Sequence, residues 1–204
     1  MSARPGAAAP ADWADAATFR ELLELARRFL SGELARFPGW GAAELDDESD
    51  DLRPALLRAA AAGLLPVASQ PGEPFAPGHD GLDWGRRAFV GGFVAPEALQ
   101  GFRDAARAHG LDLLAAAPGE PAPPRWVPAG LRGGVPFLVL GPEARAQELE
   151  SFEEAAGPAA RQALEPCPFL WLLDPLWGRR DALPAALEAL PGPGDLAAPG
   201  GPPK

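Results

Sequence analysis

The sequence predicts an α+β fold, a mixed β-sheet with helices packed on it, built as one domain. Two observations carry that reading. Segments with apolar residues at helical spacing start and stop at recognisable caps, and the short apolar runs between them do not alternate strictly with helices. Strict alternation points to a parallel α/β sheet, whereas runs that follow one another point to neighbouring strands in an α+β layer structure. The 204 residues suffice for a core without metal or disulfide, since a domain near 150 residues buries roughly 70% of its unfolded surface.

Residues 1–12 and 191–204 are rich in proline, glycine and alanine, and bury too little to offset their ordering entropy. Both ends are therefore expected to be disordered, around a single domain at 13–190. The run "TFRELLELARRFLSG" opens with a capping box, Thr18 three residues before Glu21, repeats leucine and phenylalanine at helical spacing, and meets Gly32. A second helix is expected from about Asp51 to Ala62. Asp46, Asp47, Glu48, Asp50 and Asp51 suit the positive end of its dipole, Pro54 falls in its first turn and Gly63 ends it. "LLPVA" and "RRAFVGGFV" read as strands joined by a loop of turn formers from Gln70 to Asp83. Pro96 begins a helix that stops at Gly110. "LDLLAAA" and "VPFLVLG" read as further strands, separated by the proline-rich loop "PGEPAPPRWVPAGLRGG". Pro142 starts a helix to about Ala156, "PFLWLL" reads as a buried strand, and "DALPAALEAL" as a closing amphipathic helix.

A formal charge of −10 repels phosphate backbones and argues against nucleic-acid binding. No window approaches the roughly 20 apolar residues that span a bilayer, so no membrane partner is expected. The first residues carry Asp12 and Asp15 and lack an apolar signal core, and Cys167 is the only cysteine. A soluble, cytoplasmic protein without internal disulfides is expected. Isoleucine, asparagine and tyrosine are absent, and lysine occurs only at Lys204. Arginine supplies nearly all the positive charge, a pattern of high-GC coding that accounts for the excess of alanine, glycine and proline without any functional cause.

The densest cluster of polar clues lies in "ESDDLRPALLRAAAAGLLPVASQPGEP", which ends a long apolar stretch on Ser69, Gln70 and Pro71. This stretch resembles the C-terminal regulatory domain of eukaryotic methylenetetrahydrofolate reductase, the domain that binds S-adenosylmethionine, with ungapped spacing from Glu48 to Gly63 and on to Ser69. "DWGRRAFVGGFVAPEALQGFRDAARAHGLDL" is similar to that family's tryptophan-containing loop, strand, helix and strand. "PFLWLLDPLWGRRDALPAALEAL" is similar to its C-terminal strand and helix. The resemblance spans about residues 22–190 and is most specific from 48 to 113. The Ser-Gln-Pro-Gly element also resembles that of small uncharacterised bacterial proteins, a closer likeness. Nothing corresponds to the reductase's catalytic barrel or flavin site, so that reaction is not implied.

The resemblance implies a stand-alone, non-catalytic domain that binds S-adenosylmethionine or another nucleoside-like ligand. Residue by residue, Glu48 matches the family's glutamate, Ser49 its neighbouring threonine, and Ser69 the serine of Ser-Gln-Pro. Pro66 stands where the family has a ligand-contacting threonine, and the hydroxyls of the family's later loop have no match in "RWVPAGLRGGVPFLVLG". The residues themselves allow a crevice formed by Glu48, Ser49, Ser69 and Gln70, with a helix start near Ser49 offering unpaired amides and loop 70–83 closing over a ligand. They equally allow a plain structural role, Ser69 and Gln70 satisfying turn amides and Glu48 or Ser49 capping a helix.

The remaining candidates read more simply as structure. His79, Asp80 and Asp83 in "PGHDGLDW" lack further ligands at metal spacing and suit a solvated turn. His109 falls in a last helical turn, where an imidazolium favours the dipole. Cys167 reads as a small core residue. No nucleophile elbow, phosphate-binding loop or His-Glu-x-x-His occurs, so no enzyme is expected. The alternative class is a protein-interaction module of immunity or antagonist type, or a homodimer, with Trp126 and Trp177 as exposed anchors and an acidic surface suited to a basic partner.

Overall fold

The computed structural model of the chain describes residues 12–38, 47–119, 126–141 and 143–191. The two ends expected to be disordered fall almost wholly outside these residues. Helix α1 (Phe19–Leu30) begins at the expected capping box. Thr18 Oγ1 accepts from the Glu21 amide at 3.3 Å, and the Glu21 carboxylate accepts from the Thr18 amide at 3.0 Å. Its stripe of Leu22, Leu25, Ala26, Phe29 and Leu30 is buried. A 3-10 turn, Asp47–Leu52, leads into α2 (Arg53–Ala61), and a second, Pro96–Ala98, leads into α3 (Leu99–His109). The helix expected to end near Ala156 does so as α4 (Ala144–Ala156). A further helix, α5 (Pro158–Leu164), follows it directly. Gly157, at φ 86°, breaks the ladder, and Pro158 restarts it at a first-turn position where its missing N–H costs nothing. Helix α6 (Ala182–Glu188) closes the fold.

Seven strands form the sheet: β1 (Leu64–Gln70), β2 (Glu73–Pro77), β3 (Asp83–Val94), β4 (Asp112–Ala116), β5 (Val127–Arg132), β6 (Val135–Leu140) and β7 (Phe169–Trp177). All the pairings among the described residues are antiparallel. Two of these strands, β2 and β5, occupy segments that read from sequence as loops. Their sequences, "EPFAP" and "VPAGLR", carry the proline and glycine that weaken a strand, and register irregularities accompany both.

Strand β3 is the spine. Its C-terminal half runs between β1 and β7, with Val90 opposite both Ser69 and Leu172, and its N-terminal half runs between β2 and β5, with Arg86 opposite both Glu73 and Gly130. Strand β4 extends the sheet beyond β7, and β6 extends it beyond β5. Two consecutive glycines permit the closest approaches in the spine. A Cβ on Gly92 would lie 2.0 Å from the Leu65 carbonyl oxygen, and one on Gly91 would lie 1.9 Å from the Trp171 ring.

Helices α1 and α2 pack against β1, α6 against β7 and α3 against β4, enclosing one large core. Phe152 of α4 meets Trp13, Phe37 and Phe93 edge to face, and the Trp13 indole donates to the Arg36 carbonyl at 2.8 Å. A smaller cluster of Phe89, Ala129, Leu140 and Leu173 fills the β5–β6 side, with Trp171 packed against both clusters. No helix among the described residues is long and apolar enough to cross a membrane.

Glu148 is a half-buried carboxyl on α4 whose burial pushes it up to about 7. Because the folded value lies above the unfolded one, the folded chain holds the proton more tightly, and the stability this provides declines as pH rises from about 4.5 to 7. Glu148→Gln is therefore expected to stabilise the chain at pH 7 by roughly 1–2 kcal/mol, after allowance for partial exposure, and to change nothing near pH 4. Urea midpoints of both proteins at the two pH values check this; a gain of equal size at both would contradict it.

Candidate functional site

Of the four residues expected to line a crevice, the fold brings Ser49 and Ser69 into contact. Ser49, 4% exposed, sits in the 3-10 turn ahead of α2 and donates from Oγ to the Ser69 carbonyl at 3.4 Å. The Ser69 hydroxyl reaches the Ser49 Oγ at 3.5 Å. Two residues twenty positions apart are thus brought together by α2 folding back along β1, with the register shift between Pro66 and Ala68 next to the contact. Gln70 lies on the last position of β1, where its Nε2 donates to the Pro71 carbonyl at 3.3 Å. Glu48 belongs to the same 3-10 turn by its backbone, and its side chain lies outside the described residues.

A gap of about 10 Å³ lies among Phe29, Leu30, Phe37, Leu56, Pro66, Ala68 and Ser69, about enough for one water. Arg53 closes the neighbouring corner by donating to the Leu30 carbonyl at 2.7 Å. The segment expected to form a closing loop, 70–83, is instead partly strand, since β2 pairs with β3 from Glu73 to Pro77.

A much larger cleft, of about 730 Å³, opens where the start of α1, the end of α2, the start of the α3 segment and the end of α5 converge. Small residues make its walls: Ala61, Ala62 and Gly63 from α2 and its end, Ala95 and Ala98 around Pro96, and Ala163 of α5. Phe19 and Leu23 add apolar surface. The exposed side chains of Arg20 and Glu97 supply one cation and one anion. Cys167, 2% exposed, lines the cleft, and its thiol donates to the Ala163 carbonyl at 3.6 Å. Burial, with a smaller push from Glu97, raises that thiol to about 11, so it sits there as a neutral, apolar group. The volume falls within the roughly 300–1,000 Å³ of small-molecule sites. Sequence reasoning missed this cleft because its signal was alanine and proline, the residues that the composition inflates everywhere.

The other candidates resolve into structure. Asp80 accepts from the Leu82 amide at 3.0 Å and the Trp84 indole at 3.1 Å, and pairs with Arg132. The Leu82 amide foremost, with Trp84 and Arg132, holds it down to about 2, and the result is a pinned β2–β3 turn. His79 stands beside the Trp84 ring, with centroids 6.4 Å apart. His109 ends α3 ahead of Gly110, as expected. Trp177 is half-buried between Phe75 and the Arg87 guanidinium, whereas Trp126 is 58% exposed. Among the described residues no three His, Cys, Asp or Glu side chains group so as to hold a metal ion.

The model of a family described as Domain of unknown function (DUF6919) matches residues 8–192. No curated protein matches the chain.

Proposed function

The chain belongs to this DUF6919 family, and from that premise we propose that it is a non-catalytic domain binding a small molecule in the alanine-walled cleft. The observation that carries the reading is a 730 Å³ apolar space bearing one guanidinium and one carboxylate. Such a lining suits a ligand with an apolar or aromatic body and an amino-acid head, whose carboxylate meets Arg20 and whose ammonium meets Glu97. S-adenosylmethionine and S-adenosylhomocysteine have that form, so the ligand class suggested by the resemblance is retained, at a different place from the Ser49–Ser69 contact. The mechanism is recognition: burial of the body displaces water, and the two charges set its orientation.

Filling the cleft tests this. Ala163 is half-buried and lines the cleft, so Ala163→Phe is expected to leave the fold intact and to abolish ligand-induced stabilisation, with Arg20→Ala weakening it about tenfold, the equivalent of one lost charge-assisted contact. Ser69→Ala is expected to do neither. If Ser69→Ala removes the stabilisation and Ala163→Phe does not, the ligand sits in the Ser49–Ser69 crevice.

A second reading, a protein-interaction module, is favoured by Trp126 at 58% exposure together with exposed Phe75, Val135, Phe137 and Val139. Monomers rarely leave so many large apolar side chains uncovered on one half-sheet.

A further inference from the structure

We propose that Arg145, which does not itself line the cleft, is a positioning residue for it, clasping to α4 the short segment Glu165–Cys167 that forms one wall. This role rests on the cleft as the binding site and deepens that reading. The chain leaves α5 through "LEPCPF", where Pro166 and Pro168 have no N–H to donate. The other amides close locally, Glu165 onto the Arg161 carbonyl and Cys167 onto the Leu164 carbonyl, each at 2.9 Å. A helix end leaves carbonyls without helical partners, and with Glu165 at the cap and Pro166 after it no glycine turns the chain back on them. One guanidinium serves instead. Arg145 donates from Nη2 to the Glu165 carbonyl at 2.6 Å and from Nε to the Cys167 carbonyl at 3.4 Å.

Arginine suits this task. Its planar fork holds several N–H groups in fixed directions and spans two carbonyls two residues apart, whereas a lysine ammonium is a point donor. Pro166 and Cys167 of the clasped segment, with Ala163, line the cleft together with Ala95, Pro96 and Glu97. Beyond Cys167 the chain is held again, since the Pro168 carbonyl accepts from the Val94 amide at 2.9 Å. The wall is thus fixed at its ends by α5 and β3, and between them by α4 through Arg145. Releasing that middle point leaves the cleft formed in only a fraction of molecules, and affinity falls by that fraction. Arg161 also joins the two helices, pairing with Glu153 at 2.7 Å and Glu165 at 3.3 Å, but these are surface contacts between side chains and hold no backbone of the wall.

Cys167 is the chain's only cysteine and is buried, so its reaction with N-ethylmaleimide, followed by mass, reports the opening of this wall without any ligand. Arg145→Ala is expected to speed the reaction at least about tenfold and Arg145→Lys about threefold. Urea well below the unfolding midpoint is expected to leave these rates unchanged, the mark of a local opening. Removing the Arg145 charge disfavours the thiolate, so a faster reaction reports exposure and not thiol chemistry. Arg161→Ala is expected to react within about twofold of the native chain. With S-adenosylhomocysteine at about 100 times the native dissociation constant, Arg145→Ala is expected to show about half the native rise in melting temperature, the result of tenfold weaker binding. An unchanged reaction rate in Arg145→Ala, a rate that climbs with urea in step with global unfolding, or an equal acceleration in Arg161→Ala overturns the proposal, as does a full melting shift in Arg145→Ala. No melting shift in the native chain contradicts the ligand reading alone, and the labelling rates then decide the clasp by themselves.

Discussion

Gly92→Ala is expected to destabilise the chain by roughly 3 kcal/mol, at the upper end for overpacking. The added methyl would lie 2.0 Å from the Leu65 carbonyl oxygen and 3.1 Å from the Pro66 Cα. Both obstacles are backbone, so no rotamer change relieves them. The spine strand would have to part from β1, beside the register shift at Pro66 and Ala68 and next to the Ser49–Ser69 contact. Gly91→Ala meets a side chain instead, the Trp171 ring at 1.9 Å, and that ring is only half-buried. Its cost is expected to be smaller. Urea unfolding of the two variants checks the order; a Gly92→Ala midpoint equal to that of the native chain would contradict the tight β1–β3 approach.

The second large effect concerns the charged side chain buried in the sheet. Asp174 on β7 is fully buried, accepts from the Leu176 amide at 2.8 Å, and is paired with the Arg179 Nε. Arg179 reaches back over the turn that ends β7, and the Asp174 carboxylate holds its guanidinium above the ordinary arginine value. Arg179→Ala leaves a buried carboxylate with one donor and is expected to cost about 3 kcal/mol. Arg179→Lys restores charge but not the planar fork and should recover only part of it. Asp174→Ala combined with Arg179→Ala is expected to be more stable than Arg179→Ala alone, because the uncompensated charge has gone. A double variant less stable than the single one would show that Asp174 matters for packing and not as half of an ion pair.

Much of the fold could be read from caps and periodicity. Thr18 and Glu21 form the capping box that their spacing predicts, and α1, α2, α3, α4 and α6 lie where apolar residues recur at helical spacing. The strands rich in β-branched and aromatic residues, β3 and β7, were equally plain. What escaped was structure whose stability is tertiary. Strands β2 and β5 contain proline and glycine and exist because β3 supplies hydrogen-bond partners on both sides, which no local pattern announces. Helix α5 was hidden because Gly157 and Pro158 look like a loop while serving as a helix break and restart. The site was legible only in part. Ser49 and Ser69 do meet, and Phe29, Phe37 and Leu56 line a gap of about 10 Å³ beside Ser69. The larger cleft is walled by short side chains, among them Ala61, Ala62, Ala95, Ala98 and Ala163, and in a chain so rich in alanine they carry no sequence signal.

The most direct test of a ligand in this cleft is the melting temperature of the native chain and of Ala163→Phe, with and without millimolar S-adenosylmethionine or S-adenosylhomocysteine. A ligand at 100 times its dissociation constant adds about 2.7 kcal/mol, several degrees for a domain of this size. The cleft reading predicts a rise of that order in the native chain and none in Ala163→Phe. The absence of a rise with either compound, or an equal rise in both proteins, would contradict it.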